Sequence, residues 1–173
     1  MKKLLCLALA ASLILTSCDI TGDRIKGNGN IKTESRQLGQ FNSIDASGMA
    51  DIYVKQDSVS SVRVETDENL LPYNLVENKN GMLYIHQKSH TNLKPTKSIK
   101  VYVSGPSFSR FEASGACDFY TENLLTNNES FSFGLSGASD VRMELKAPRI
   151  EAGLSGAGTL ILKGETKDFR IQG

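Results

Sequence analysis

The sequence predicts an all-β chain whose C-terminal half is a stack of similar coils. Three observations predict it. Apolar residues recur with period two from Phe41 onward, no window carries a convincing apolar stripe at helical spacing, and one short motif is written four times. The copies are SGMADIYV at 47–54, SGACDFYT at 114–121, SGASDVRM at 136–143 and SGAGTLIL at 155–162. The last three begin 22 and 19 residues apart, each after an alternating strand: RFEASG, SFGLSG and IEAGLSG. A strand, a Gly-bearing corner and a second strand at this period describe coils that cannot bury an apolar face alone and stack to do so.

The elements before the motif follow in order. Lys2 and Lys3 form a basic head, and Leu4 to Leu15 form an apolar stretch of twelve residues, which suits a secretory signal and is too short to span a bilayer as a helix. LTSC at 15–18 resembles the bacterial lipobox, so 1–17 reads as a lipoprotein signal peptide and Cys18 as the lipidated first residue of the mature chain. Removing Lys2 and Lys3 leaves 18 basic against 19 acidic residues, a balance that gives no basis for nucleic-acid binding. Residues 18–40 are polar and Gly-bearing and read as a lipidated tether. GNGN at 27–30 lacks the buried strand before it and the helix after it that a phosphate loop needs.

One domain, 41–173, follows. NKNG at 78–81 reads as a hairpin turn, and ENLLPYNL at 68–75 has room for one helical turn before Pro72 interferes. The first motif copy lies 67 residues before the second, and the strands between, VRVET, MLYIHQ and SIKVYV, carry no Ser-Gly corner. Regular stacking is therefore expected from about residue 108, with antiparallel pairing admitted earlier. A further offset of 19 lays Phe169 over Ile150 and Ile171 over Ala152, with the next Ser due at 174, so the domain reads as truncated at its C-terminus.

Within the motif each position has a structural task. Gly48, Gly115, Gly137 and Gly156 turn the chain where positive φ is needed. Ser47, Ser114, Ser136 and Ser155 cap the corner through side-chain hydrogen bonds. Ala50, Cys117, Ser139 and Gly158 are small because coils stack about 4.8 Å apart. Asp51, Asp118 and Asp140 accept N–H bonds in Asx-type turns. The functional alternative makes these aspartates a ligand-facing row along one edge. Stacked carboxylates suit Ca²⁺, but Thr159 breaks the row and like charges at coil spacing repel, so no metal site is assigned.

Serine-based hydrolysis has little support. SGMAD is not G-x-S-x-G, and the only histidines, His86 and His90, lie together in HQKSH. Cys117 is the one cysteine left beyond Cys6 and Cys18, with no disulfide partner and no evident base. No Trp is present to stack on a sugar ring, and no catalytic residue or cofactor is assigned.

The motif F-x-x-I-x-A-S-G-x-A-D-I at 41–52, its counterpart F-x-x-F-x-A-S-G-x-x-D-F at 108–119 and the later SGASDV and SGAGTL resemble the DUF2807 family, the auto-transporter adhesin head GIN domain frequent in Bacteroidetes lipoproteins. The resemblance implies a right-handed parallel β-helix-like solenoid, here with coils of about 19–22 residues, at or beyond the cell envelope. It implies no catalytic residues. The expected function is a non-enzymatic cell-envelope lipoprotein, anchored through its lipid in the outer membrane, that binds or scaffolds, with a glycan or a host or matrix protein as partner. The alternative is a polysaccharide lyase or hydrolase on a β-helix, with paired Asp residues as acid and base.

Overall fold

The computed structural model describes residues 23–173, so the signal peptide and Cys18 lie outside the described residues. Among the described residues there are fifteen strands: β1 (Asp23–Lys26), β2 (Ile31–Arg36), β3 (Ser43–Gln56), β4 (Ser61–Asp67), β5 (Asn74–Lys79), β6 (Met82–Gln87), β7 (Thr91–Lys94), β8 (Lys100–Gly105), β9 (Arg110–Thr121), β10 (Leu125–Thr126), β11 (Ser130–Gly137), β12 (Asp140–Lys146), β13 (Arg149–Gly156), β14 (Thr159–Glu165) and β15 (Asp168–Gln172). The single helical segment among the described residues is the 3₁₀ turn Glu68–Tyr73, which contains Pro72. The fold is all-β, as the period of two predicts.

The long β3 runs through its own Ser-Gly corner and pairs in parallel with β9 over its whole motif, Gly48 opposite Gly115 and Asp51 opposite Asp118. Past β9 the pairing is parallel at the predicted offsets. β11 and β12 lie on β9, β13 on β11, β14 on β12 and β15 on β13. Phe169 stands over Ile150 and Ile171 over Ala152.

The sheet as a whole is mixed, with its antiparallel pairs in the N-terminal half, where the sequence admits them, and parallel pairing past β9. β2 pairs antiparallel with β4, β4 with β8, and β5 with β6. For β5 and β6 the cause is local: Asn80 and Gly81 both take positive φ, 54° and 83°, in the two-residue turn between Lys79 and Met82, a geometry that returns the chain antiparallel. The first two motif copies are direct neighbours because β4 to β8 are looped out between them and join the other side of β3.

Residues 23–36, read as tether, carry two strands instead. β1 pairs with β7 and β2 with β4. The glycine loop between them wraps an anion, and the anion belongs to the protein. The buried Asp67 carboxylate accepts from the Gly29 N–H at 2.7 Å, the Thr96 N–H at 2.8 Å and the Thr96 hydroxyl at 2.7 Å. Burial pushes that carboxyl upward, but the Thr96 and Gly29 hydrogen bonds outweigh it and hold it below the usual carboxylate range. A Cβ at Gly27 would strike this carboxylate, so the glycine there makes room for it.

The core is apolar and aromatic. Phe108, Phe111, Phe119 and Phe131 are essentially inaccessible, and Phe111 packs on Phe133 with centroids 5.3 Å apart and planes 16° from parallel. Burial of each such ring contributes about 1.5–3 kcal/mol. Inward residues alternate with outward ones along β9, β11, β12 and β13, so the outer faces there carry the polar half of the pattern, while Phe169 and Ile171 on the last strand β15 are exposed.

Candidate ligand-binding face

The corner residues form columns through the stack. Gly48, Gly115, Gly137 and Gly156 all have positive φ, and a Cβ on Gly115 would lie 2.6 Å from the Gly48 carbonyl oxygen. The same distance separates a Cβ on Gly137 from the Gly115 carbonyl oxygen. Glycine is therefore required twice over, by its own dihedral and by the backbone of the preceding coil. The small-residue column runs beside it. Ala50 lies opposite Cys117, and the Ser139 Oγ accepts from the buried Cys117 N–H at 3.2 Å. Burial pushes the Cys117 thiol up to about 12, so it stays protonated and unreactive at neutral pH.

Ser136, Asp118 and Asp140 bond between coils rather than inside their own turns, which corrects the capping and Asx-turn expectation at these three positions. The Ser136 hydroxyl donates to the Ala113 carbonyl at 3.2 Å. Asp118 accepts from the Asp140 N–H at 2.8 Å, and Asp140 accepts from the Thr159 N–H at 3.0 Å. A short acceptor on one coil reaches the next because coils are spaced by one strand separation. The aspartate bonds satisfy N–H groups and the serine bond a carbonyl at the points where the ladder is interrupted by the corner.

Asp51, Asp118 and Asp140 do form a row, opposite one another in register or joined by the bond just described. Its members differ. Burial, and then the neighbouring Asp118 charge, raises the Asp51 carboxyl above its ordinary value. Hydrogen bonds from Thr159, with the Arg142 charge, hold Asp140 below its own. Arg142 lies 3.0 Å from Asp140. Among the described residues no group of three or more His, Cys, Asp or Glu side chains is placed to hold a metal ion. His86 Nδ1 lies 3.3 Å from its neighbour's Gln87 carbonyl, and His90 sits in a loop at φ 60°; neither is hydrogen-bonded to a corner serine.

Beside the aspartates runs a row that sequence reasoning missed. Tyr102, Tyr53 and Tyr120 stack ring on ring, both pairs with centroids 5.3 Å apart and planes 21° and 22° from parallel. The Arg63 guanidinium lies 5.1 Å from the Tyr102 centroid and closes one end. Arg142 stands opposite Tyr120 in register at the other. The signal was present as Asp-x-Tyr in DIY at 51–53 and DFY at 118–120, while Tyr102 arrives from β8, which has no motif.

Two larger depressions lie elsewhere, and neither gathers a pair of acids. One of about 530 Å³, at Asn127, Lys146 and Pro148, contains the single acid Glu165, which is paired with Lys146 at 2.8 Å. Another of about 600 Å³, between Arg36, Gln40 and Ser60, has no acidic residue in its lining.

Solved structures share this fold. A "putative lipid binding protein" from Parabacteroides distasonis aligns with a TM-score of 0.76 at 26% identity, covering 83% of this chain. The chain spans 63% of that protein's length. A "putative adhesin" from the same species aligns with a TM-score of 0.67 at 25% identity over 86% of this chain and 72% of that one. A "putative adhesin" from Bacteroides fragilis, at 16% identity and a TM-score of 0.63 over 85% of this chain and 99% of its own, shares the fold alone. No curated protein shows a significant sequence match. The family profile described as "Putative auto-transporter adhesin, head GIN domain" matches residues 40–173, and with the repeated corner in place through that span, the chain belongs to the DUF2807 family.

Proposed function

We propose that this protein is a non-enzymatic, adhesin-like lipoprotein of the cell envelope whose β domain binds glycans on an even outer face. Cys18 carries the lipid that holds it in the outer membrane, and the parallel stack from β9 onward is a right-handed solenoid of 19–22-residue coils. The parallel registers at those offsets support the coil reading.

One observation carries the binding reading. The outward side chains of β4, β8, β3, β9 and β12 form continuous polar and aromatic rows, with Asp51, Asp118 and Asp140 beside Tyr102, Tyr53 and Tyr120. A module that recognises an extended ligand needs such a face, held rigid by strands. A hydrolase or lyase would need two acids converging in a cleft, and neither large depression supplies them. Family membership and a neighbour described as an adhesin agree with binding.

The test is a glycan and matrix-protein array with the full chain in detergent, run with and without Ca²⁺, with liposomes as a further arm. Glycan retention without product release is the expected result. No binding under any condition overturns the proposal, and release of cleaved oligosaccharide overturns its non-enzymatic part. The anchor is tested separately: Cys18→Ser should abolish acyl labelling and move the protein from the membrane to the soluble fraction.

A further inference from the structure

The tyrosine row is the centre of a strip with ordered chemistry on both sides. On one side Glu65, Lys100, Asp51 and Asp118 follow one another in register, with Lys100 and Glu65 paired at 3.8 Å. On the other, the Ser61 and Ser104 hydroxyls are hydrogen-bonded at 2.8 Å, and Ser104 stands opposite Lys55. At the Arg63 end a shallow depression of about 180 Å³ opens between Lys55, Asp57, Arg63, Tyr102 and Glu122. Lys55 is engaged there by Asp57 at 2.8 Å, while Arg63 lies over Tyr102.

The stacking decides what a ligand meets. Both faces of Tyr53 are covered by rings, and Tyr102 is covered by Tyr53 on one side and Arg63 on the other. For Tyr53 and Tyr102 the ring edges and phenol oxygens are therefore what a ligand can reach. Tyrosine supplies rigid, amphipathic contact at low entropic cost, and here each ring is already held by its neighbour, so little freedom remains to be lost on binding.

The geometry points to this strip as the binding site for a neutral polysaccharide chain. One terminal sugar sits in the depression by Arg63, and the chain crosses the strands along Tyr102, Tyr53 and Tyr120. This assignment rests on the glycan-binding reading above and names its locus. A sugar hydroxyl both donates and accepts, and the strip interleaves donors (Arg63, Lys55, Lys100 and the phenols) with acceptors (Asp51, Asp118, Glu122). A polyanion would face Asp51 and Asp118 at mid-strip, and a polycation would face Arg63, Lys100 and Arg142 around it. A hydroxyl-rich uncharged chain finds a partner at each step.

The experiment uses the full chain in detergent, with affinity electrophoresis through dextran, mannan, polygalacturonate or polylysine at low and high salt. The deciding variant is the triple change Tyr53→Phe, Tyr102→Phe, Tyr120→Phe, which keeps the ring stack and removes the hydroxyls, with no further loss than the long 3.4 Å hydrogen bond from Tyr120 to Asp118; a purely structural ladder would not register it in binding. Expected are retardation by a neutral polymer that is insensitive to salt, its weakening by about tenfold or more in the triple variant, and an unchanged melting temperature. Arg63→Ala should weaken binding as well. Undiminished neutral-glycan binding in both variants overturns the strip and leaves glycan binding standing elsewhere on the molecule. Retention only by a charged polymer, falling steeply with salt, overturns the neutral ligand. Failure of the unaltered chain on these polymers and on the glycan array removes both readings.

Discussion

Gly137→Ala should destabilise the domain through two separable effects. Gly137 has φ +85°, and holding a residue with a Cβ in that region costs about 1–3 kcal/mol. In addition, the new Cβ would lie 2.6 Å from the Gly115 carbonyl oxygen and 2.9 Å from its nitrogen, both backbone atoms of the coil below. Backbone cannot rotate away, so the coils must separate locally, adding about 1–3 kcal/mol by analogy with overpacked cores. The sum, about 2–6 kcal/mol, is a large part of a typical domain stability of about 5–15 kcal/mol. Gly29→Ala isolates the first effect, because Gly29 has φ +81° and a Cβ there would meet nothing within 4 Å. Gly153→Ala has neither penalty: its φ is ordinary for any residue and the nearest atom to a Cβ, the Phe133 carbonyl oxygen, is 3.9 Å away. Relieving a strand glycine should stabilise by about 0.5–1 kcal/mol. Urea denaturation followed by circular dichroism, comparing midpoints at unchanged m-values, orders the three as Gly153→Ala above the parent, Gly29→Ala below it and Gly137→Ala lowest. Equal losses for Gly137→Ala and Gly29→Ala would refute the claim that stacked backbone, and not φ alone, demands glycine at the corner.

Other outcomes follow from the same contacts. Asp67→Asn should cost about 1–3 kcal/mol at neutral pH by leaving buried donors unsatisfied. Because the Asp67 carboxyl is lowered from its ordinary 3.8 in the folded state, its stabilisation is present above that value and is lost as pH falls through the folded one, so the gap to the variant should close on acidification; a gap independent of pH counts against it. Asp140→Asn should change stability only modestly, since its amide oxygen can still accept from the Thr159 N–H and the pair with Arg142 is partly exposed and screened, and thermal melts of the two proteins should nearly coincide. Cys117, buried and with its thiol pushed up to about 12, should resist iodoacetamide in the folded protein at pH 8 and react after denaturation, read by mass spectrometry of its peptide; rapid labelling of the folded chain would show the core is open there.

Much of the stack was legible because its cause is local. Each corner glycine follows a strand whose alternation is visible in a few residues, and equal offsets between copies dictate which residues meet, as Phe169 over Ile150 illustrates. The N-terminal half was less legible because its pairings join segments that share no motif. Nothing near GNGN announces that Asp67 and Thr96 will close around it. For the same reason residues 23–36 look like a tether although β2 has a partner strand waiting in β4.

By itself, the sequence determined the β class, the corner and its glycines, the repeat offsets and the identity of the aspartate row, since periodicity and backbone sterics act over short spans. Tertiary structure alone decided that the sheet is mixed and that Ser136, Asp118 and Asp140 bond from coil to coil. It also decided that Tyr53, Tyr102 and Tyr120 share one row. That row depends on β3 taking β8 on one edge and β9 on the other, a long-range pairing chosen by burial of the common core and written in no single stretch of chain.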